Sequence, residues 1–382
     1  MAHADSLVAA AVAEGLIPGA VLRVARAGQV LHEEAYGTRQ LRGPGPRPLD
    51  APPPMRVKTL FDLASVTKVM ATTMALMLLV DRGAVQLDDP VWRHLPEFRG
   101  PHLDRIRVRH LLTHTAGLAQ WQPLYYHAAT PEQAYARIRA LPLEWGVGEG
   151  RHYSDLGFML LGYLVERAAG EPMDAFLRGA LYEPLGLEAT GFRPSRLDGS
   201  REIAATEHGN RYERRMVYDS AFGYHVPGDP RAWEGWRDYT LVGEVNDGNA
   251  WYAHGGVAGH AGLFSTAGEL GTLLDLLLAG GTHEGRHFVT PATVAAFLTR
   301  DEHGHFLGWL HPSGTPPGTF AHTGFTGTYV GAVPEHGLTV VLLTNRQNAG
   351  MSEEGYFPNL GPLQRAVLST LIAGAEEDAG AS

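Results

Sequence analysis

Ser65 and Lys68 stand one helical turn apart at the start of a long apolar stretch. Residues three apart lie on one face of a helix, so the lysine amine can reach the serine hydroxyl. A helix N-terminus favours developing negative charge, and burial lowers the pKa of an amine until it can accept a proton. The pair therefore predicts a serine nucleophile activated by lysine. The alternative is that Ser65 caps the helix and that Lys68 is a solvated residue of its first turn.

Lysine is rare in this sequence, which gives Lys68 added weight. Of 31 basic residues, only Lys58 and Lys68 are lysines. Unlike arginine, lysine can lose its proton near neutral pH when its surroundings lower its pKa. The lysine at position 68 therefore favours the catalytic interpretation.

The stretch after Lys68 predicts the element that positions the pair. Residues 69–80 are almost wholly apolar and contain no Gly or Pro, and Gly83 follows as a stop signal. The run is shorter than the roughly 20 residues that cross a bilayer. We therefore expect a buried core helix and no membrane insertion.

The two ends of the chain predict strands. Residues 20–26 and 30–37 flank a short Gly-containing turn and read as a hairpin, and residues 305–309, 319–324, 327–333 and 338–344 alternate with turns near the other end. A helix is expected at 5–15 and a last one at 360–373. The pattern predicts an α/β fold of the α+β type: an antiparallel sheet built from both chain ends, flanked by helices, with a mostly helical insertion.

We expect two interleaved domains with the active site in the cleft between them. The sheet domain would comprise residues 1–62 and 255–382, and the helical domain residues 63–254. Residues 194–250 are polar and rich in Gly and Trp, and their aromatic side chains either line a binding cleft or pack a long excursion.

Two further patterns argue against a metal or nucleotide site. His110 and His114 are four apart, but no H-E-x-x-H glutamate and no third ligand accompany them, so we expect structural histidines. The glycine-rich stretch 254–266 lacks G-x-G-x-x-G in register and instead suggests backbone held close to a neighbour. The sequence predicts no cofactor and no metal.

Composition excludes several other functions. A net charge of −10 without a basic cluster argues against nucleic-acid binding, and the absence of cysteine excludes disulfides and a thiolate nucleophile. The first residues lack the positive region of a signal peptide, so a cytoplasmic location is expected.

Three separated motifs together resemble the serine β-lactamase and penicillin-binding protein superfamily. They are Ser65-Val66-Thr67-Lys68, Tyr153-Ser154-Asp155 and His322-Thr323-Gly324. The tyrosine that begins the second motif is similar to that of class C β-lactamases, DD-carboxypeptidases and family VIII carboxylesterases. The resemblance covers roughly residues 15–345 and includes the stretch 110–118.

The resemblance implies a role for each motif residue. Ser65 would attack an acyl carbon, and Lys68 and Tyr153 would share the proton transfers, with the choice of base left open. The oxyanion would lie between the backbone N–H groups of Ser65 and Phe325. The third motif would border the leaving group or a substrate carboxylate, through His322, Thr323 and Gly324.

Two departures from the superfamily pattern argue against efficient β-lactamase activity. Asp155 stands where class C enzymes have Asn, replacing a donor amide by an acceptor. His322 stands where a charged lysine would hold a β-lactam carboxylate, and a neutral imidazole would do this poorly at pH 7. The motifs look most like those of muropeptide-directed members, which include an N-acetylmuramyl-L-alanine amidase.

The leading interpretation is a metal-free serine hydrolase acting on small esters, amides or peptides, including cell-wall-derived peptides. The alternatives are a family VIII-type carboxylesterase, a weak β-lactamase, or a non-catalytic penicillin-binding protein. A metallohydrolase built on the 19 histidines is the most distant alternative.

Overall fold

The computed structural model describes residues 1–45, 47–194, 201–224, 226 and 228–380. Its α-helices are α1 (Ala2–Ala13), α2 (Met74–Asp81), α3 (Val108–Leu112), α4 (Pro131–Ala140), α5 (Asp155–Ala169), α6 (Met173–Leu177), α7 (Arg211–Tyr218), α8 (Ala267–Leu278), α9 (Pro291–Leu298) and α10 (Gly361–Gly380).

The strands of the described residues form one main sheet and three small ones. They are β1 (Gly19–Arg26), β2 (Gln29–Gly37), β3 (Phe61–Asp62), β4 (Gly191–Phe192), β5 (Ala205–His208), β6 (Thr240–Val242), β7 (Leu263–Ser265), β8 (Thr282–His283), β9 (Arg286–His287), β10 (Phe320–Thr323), β11 (Tyr329–Val333) and β12 (Leu338–Thr344).

The main sheet is antiparallel and has the order β10-β11-β12-β1-β2. Strand β1 from the start of the chain pairs with β12 from its end, with Val21 opposite Leu343. Both strands of this pair are buried on both faces because helices cover both faces of the sheet. The predicted sheet built from both chain ends is confirmed.

Helices form a layer on each side of this sheet. On one face, α1 and α10 pack through Val8 and Leu371 against side chains such as Leu22 of β1. On the other face, α8 and the helical part of the chain pack in a larger core that includes Val21 and Leu343. Alternate residues of each strand therefore belong to different cores.

The helix that carries Ser65 and Lys68 is not a regular α-helix at its start. A 3₁₀ turn spans Ala64–Val66 and a π-helical segment spans Lys68–Thr73 before α2 begins. By length and composition alone, the 18-residue stretch Ala64–Asp81 could cross a membrane, contrary to our argument from its length. Because 83% of it is buried inside the protein, it serves as a core helix.

A small sheet that the sequence did not predict brings distant segments to Ser65. Strand β7 pairs with β3 and β4, placing Phe264 opposite Asp62. These strands have two or three residues, too few to show a periodic pattern. The pairing places the glycine-rich stretch beside the start of the catalytic helix.

One predicted strand and one predicted helix end are wrong. Residues 305–309 do not form a strand, and only Leu310 makes an isolated bridge, to Ala321. The last helix extends to Gly380, seven residues beyond the predicted end.

The aromatic residues of the long excursion divide between the two interpretations. Trp233 packs against Trp236, Tyr252 and Tyr125 with ring centroids 4.7–5.0 Å apart, so this group packs the excursion. Tyr212 instead lines a cavity beside Ser65. Residues 195–200, 225 and 227 of the excursion lie outside the described residues.

The glycine-rich stretch approaches α5 closely, as the sequence suggested. A Cβ atom built on Gly259 would lie 2.0 Å from the carbonyl oxygen of Phe158 and 2.9 Å from the amide of Gly162. A Cβ on Gly162 would lie 3.0 Å from the amide of Gly259. Only glycine allows two backbones to pack this closely.

We expect Gly259→Ala to lower the free energy of unfolding by about 1–3 kcal/mol, because the added methyl group must displace α5 or the loop. Urea denaturation measures the loss. Gly374→Ala is the control, since its Cβ would have no heavy atom within 4 Å and it lies inside α10. An equal effect of both substitutions would refute the packing argument.

Candidate active site

A buried carboxylate sets the backbone before Ser65. Asp62 accepts hydrogen bonds from the amides of Ala64 (2.9 Å) and Asn246 (2.6 Å). Ala64 has φ +45°, an uncommon conformation for a residue other than glycine. Burial raises the pKa of Asp62 to about 6. The strained backbone of Ala64 and the Asp62 carboxylate that binds its amide fix the direction in which the chain enters the helix of Ser65.

The Lys68 ammonium is fully buried and has three partners. It donates to the Ser65 Oγ at 2.8 Å and to the carbonyl oxygen of His260 at 3.1 Å. It also lies 2.7 Å from an oxygen of the Asp155 carboxylate. Two hydrogen bonds and the charge of a carboxylate therefore compensate the buried ammonium.

The pKa of Lys68 is shifted in the direction opposite to our expectation. Burial lowers it, but the nearby Asp155 carboxylate, together with Tyr153, outweighs burial, so the net pKa lies above that of a free lysine. The expectation that burial would lower the pKa of Lys68 is therefore wrong. The sequence could not show this because it did not place Asp155 against the amine.

Tyr153 stands beside this pair and is held by its neighbours. The Ser154 amide donates to His114 Nδ1 at 3.0 Å, and the Ser154 hydroxyl caps α5 by accepting from Gly157. The Tyr153 ring lies 4.5 Å from the His114 ring, and its hydroxyl interacts with Lys68 and Ser65. Burial raises the pKa of Tyr153, and the Lys68 charge only partly opposes this.

His114 acts as a support rather than a metal ligand. Its Nδ1 accepts a hydrogen bond, and burial lowers its pKa well below the ordinary value, so the ring is neutral. Across the described ranges, no group of three or more His, Asp or Glu side chains could hold a metal ion.

The turn after the third motif is tied to the backbone before Ser65. Thr326 Oγ1 donates to the Asp62 carbonyl at 2.7 Å, and Thr328 Oγ1 donates to the Leu63 carbonyl at 3.0 Å. A Cβ on Gly324 would lie 2.4 Å from the Leu63 oxygen. The Phe325 amide, between these anchors, has no acceptor among the residues described, as an oxyanion donor requires.

His322 is neutral, as the sequence predicted. It is 1% exposed, and burial together with the Lys68 charge lowers its pKa to about 3. Its Nδ1 donates to the Thr323 carbonyl at 2.8 Å, while Nε2 is buried without a partner in the described part of the chain. His322 therefore supplies no positive charge to a substrate.

Two cavities of opposite charge meet at Ser65, and Tyr153 and Phe325 also line both. Among its described lining residues, the larger cavity, about 700 Å³, contains three arginines and no carboxylate, and we call it the arginine cavity; the arginines are Arg151, Arg346 and Arg365. The described lining of the smaller cavity, about 390 Å³, contains four carboxylates and neither lysine nor arginine, and we call it the acidic cavity; the carboxylates are Asp155, Glu207, Glu213 and Asp247.

His260 and Asp247 form a pair that sequence reasoning missed. His260 Nε2 lies 2.9 Å from Asp247 Oδ1, and both side chains line the acidic cavity. Burial raises the pKa of Asp247, but His260, the Ala250 amide and the Lys68 charge together lower it to about 2. The only sequence signal was the glycine-rich stretch around His260.

The structure brings all the residues predicted for the site together. Ser65, Lys68 and Tyr153 are in mutual contact, and the third motif with Phe325 borders the same cavity. The arginines and the cavity carboxylates Glu207 and Glu213 were missed because they lie in loops, helices and the short strand β5, none of which carries a motif.

Comparisons with known proteins extend along the chain. The β-lactamase family model matches residues 4–360. An Escherichia coli (strain K12) protein whose name assigns it provisionally as a D-alanyl-D-alanine carboxypeptidase is 32% identical over 371 residues, 90% of this chain and 82% of that protein. The N-acetylmuramyl-L-alanine amidase of Bacillus subtilis (strain 168) is 31% identical over 393 residues, 93% of this chain and 83% of the amidase.

A solved structure is similar to this chain over almost its full length. EstCE1, a hydrolase with promiscuous acyltransferase activity, superposes with a TM-score of 0.68 at 26% identity, covering 95% of this chain and 96% of that chain. The similarity therefore spans the whole architecture and not the motifs alone.

We expect Thr326→Val to lower the free energy of unfolding by about 1–3 kcal/mol, because it leaves the buried Asp62 carbonyl without its donor. Thr319→Val is the matched control. Thr319 is equally buried, but its hydroxyl has no partner within the described ranges, so its replacement should not be destabilising. Chemical denaturation of both variants decides the matter, and equal losses would contradict the anchoring role.

Proposed function

Since this chain belongs to the β-lactamase family and is a serine hydrolase, we propose that it cleaves small peptide-like amides and esters through an acyl intermediate on Ser65. The observation that carries this proposal is the 2.8 Å contact between the Lys68 ammonium and the Ser65 Oγ. A buried cation beside a hydroxyl stabilises the alkoxide that attacks an acyl carbon.

Tyr153 is the proposed proton acceptor. The raised pKa keeps the Lys68 ammonium protonated while it donates to Ser65 and to the His260 carbonyl, so its nitrogen offers no lone pair. The Tyr153 oxygen is the remaining acceptor beside Ser65. Because both pKa values are raised, the pair must first lose one proton to become active.

The proposed reaction has two steps. In acylation, the Ser65 Oγ forms an ester with the acyl carbon, the C–N or C–O bond of the substrate breaks, and Tyr153 passes the serine proton to the leaving group. In deacylation, water attacks the ester and its proton returns to Ser65 by the same route. The amides of Ser65 and Phe325 would hold the oxyanion in both steps.

The arginine cavity supports a substrate that carries a carboxylate. Arg346 donates through Nε to the Phe325 carbonyl at 2.9 Å, and burial lowers its pKa to about 10. None of the three arginines of this cavity has a carboxylate within 4 Å among the described side chains. They replace the positive charge that neutral His322 lacks, so a short peptide fits better than an uncharged ester.

We expect Ser65→Ala to abolish turnover of p-nitrophenyl butyrate, with at least about a thousandfold loss, because no acyl-enzyme can form. Stopped-flow kinetics and intact-protein mass spectrometry should show a burst and a transient acyl mass in the native protein only. Ser6→Ala, an exposed serine of α1, should behave as the native protein.

Two other outcomes would change the proposal. An adduct that forms and persists would indicate a penicillin-binding protein without turnover. Equal turnover in the native protein and Ser65→Ala would show that Ser65 is not the nucleophile.

We expect kcat/KM for the same ester to rise with pH and to level off only in the alkaline range, because the Lys68–Tyr153 pair must lose a proton and both pKa values lie above their ordinary values. Asp155 stabilises the charged form of Lys68, so Asp155→Asn lowers the pKa of the pair. The alkaline rise should therefore move to lower pH by about one unit or more.

Asp88→Asn is the control for this profile. Asp88 pairs with Arg109 on the surface, and its replacement should leave the profile in place. A profile that does not move in Asp155→Asn would show that the ion pair does not govern the active protonation state.

A further inference from the structure

Two carboxylates of the acidic cavity form no ion pair with a described lysine or arginine, and the more distant Arg237 charge only partly offsets their burial. Glu207 is 3% exposed and accepts from the Tyr212 amide at 2.8 Å and from Asn246 Nδ2 at 3.3 Å. Glu213 accepts through Oε2 from the Gly248 amide at 2.9 Å. Neither has a lysine or arginine nitrogen within 4 Å among the described residues. Burying ionised carboxylates in this way lowers the stability of the fold unless a ligand supplies a compensating positive charge.

A buried polar atom in the same wall lacks any hydrogen-bond partner within the described ranges. It is Nδ1 of His260, a side chain that is 1% exposed and lines the cavity. The other ring nitrogen, Nε2, lies 2.9 Å from Asp247 Oδ1, and this contact fixes the orientation of the ring. A polar ligand in the cavity would supply the partner that Nδ1 lacks.

The pKa values agree with a missing cation. Burial raises the pKa of Glu207 to about 7. Burial and the neighbouring Asp247 charge raise the pKa of Glu213 well above its ordinary value. An ammonium group placed between these carboxylates would restore their ionised forms.

Aromatic rings complete the wall of the cavity. The Trp121 and Tyr224 rings lie 4.8 Å apart, and the Tyr212 and Phe325 rings lie 5.0 Å apart. Such faces accommodate a cation and the short alkyl group beside it. An inorganic cation would gain little from these faces, whereas an organic ammonium fits them.

We propose that the acidic cavity binds the free ammonium group of a short peptide, whose carboxylate points to the arginine cavity on the other side of Ser65. In a dipeptide the ammonium belongs to the acyl half and the carboxylate to the leaving half. The peptide therefore lies across Ser65 in one direction, with the acyl half in the acidic cavity. This inference rests on the proposed function, because it deepens the substrate class of the same site.

Isothermal titration calorimetry of the Ser65→Ala protein tests the proposal without any turnover. The two ligands are alanyl-alanine and isobutyryl-alanine, in their L and D forms. They differ only in that a methyl group replaces the ammonium group. We expect alanyl-alanine of one chirality to bind with a dissociation constant roughly tenfold or more below that of its isobutyryl analogue, as a charge-assisted contact provides.

Two double variants identify the cavity. Ser65→Ala/Glu213→Gln should bind the two ligands with similar affinity. Ser65→Ala/Glu166→Gln should keep the full preference, since Glu166 also has a raised pKa and accepts one backbone amide, but lines a cavity that lacks Ser65. Thermal unfolding confirms that each variant is folded.

Equal affinity of the two ligands for Ser65→Ala, or binding of neither, would overturn the proposal whatever the double variants do. A preference that persists in Ser65→Ala/Glu213→Gln would overturn the assignment to this cavity. Loss of esterase activity in Ser65→Ala is a separate readout. The proposed nucleophile and the proposed ammonium subsite can therefore fail independently.

Discussion

The buried Lys68 ammonium is the constraint on which the rest of the site depends. Removing a charged amine from water costs several kcal/mol unless its three protons and its charge are matched. The matching groups come from three parts of the chain: the Ser65 hydroxyl from its own helix, the Asp155 carboxylate from the start of α5, and the His260 carbonyl from the glycine-rich stretch. A shift of any one of these segments would leave the Lys68 ammonium without one of its partners.

The close contact between backbones follows from the same constraint. The His260 carbonyl can reach Lys68 only if the stretch before it lies directly against α5, and Gly162 and Gly259 allow this approach. The turn that carries Phe325 is fixed in a similar way, since Thr326 is bound to the backbone just before Ser65. Nucleophile, cation and oxyanion donor are thus positioned by backbone contacts and not by flexible side chains alone.

The sequence predicted what depends on local spacing and missed what depends on long-range contacts. Ser65 and Lys68 were found because their separation brings them together within one helix, and the neutral state of His322 was expected from its residue type alone. The pKa of Lys68 was predicted in the wrong direction, because its sign depends on whether burial or the Asp155 charge is larger. That comparison requires a distance between residues 87 positions apart in the chain, which no spacing pattern contains. The strand expected at 305–309 failed for the related reason that an apolar stretch does not specify its partner.

The charges of the two cavities connect substrate recognition with activation of the nucleophile. The carboxylates Asp155 and Asp247 both favour protonated Lys68, and the Lys68–Tyr153 pair is inactive in that form. An ammonium group in the acidic cavity opposes this field, so the proton on the Lys68–Tyr153 pair becomes easier to remove. Two unit charges about 8 Å apart at an effective dielectric constant of about 20 interact by roughly 2 kcal/mol, which corresponds to more than one pKa unit. A substrate with a free amine would therefore lower the pKa of the pair that must lose a proton, whereas an uncharged ester would leave it raised.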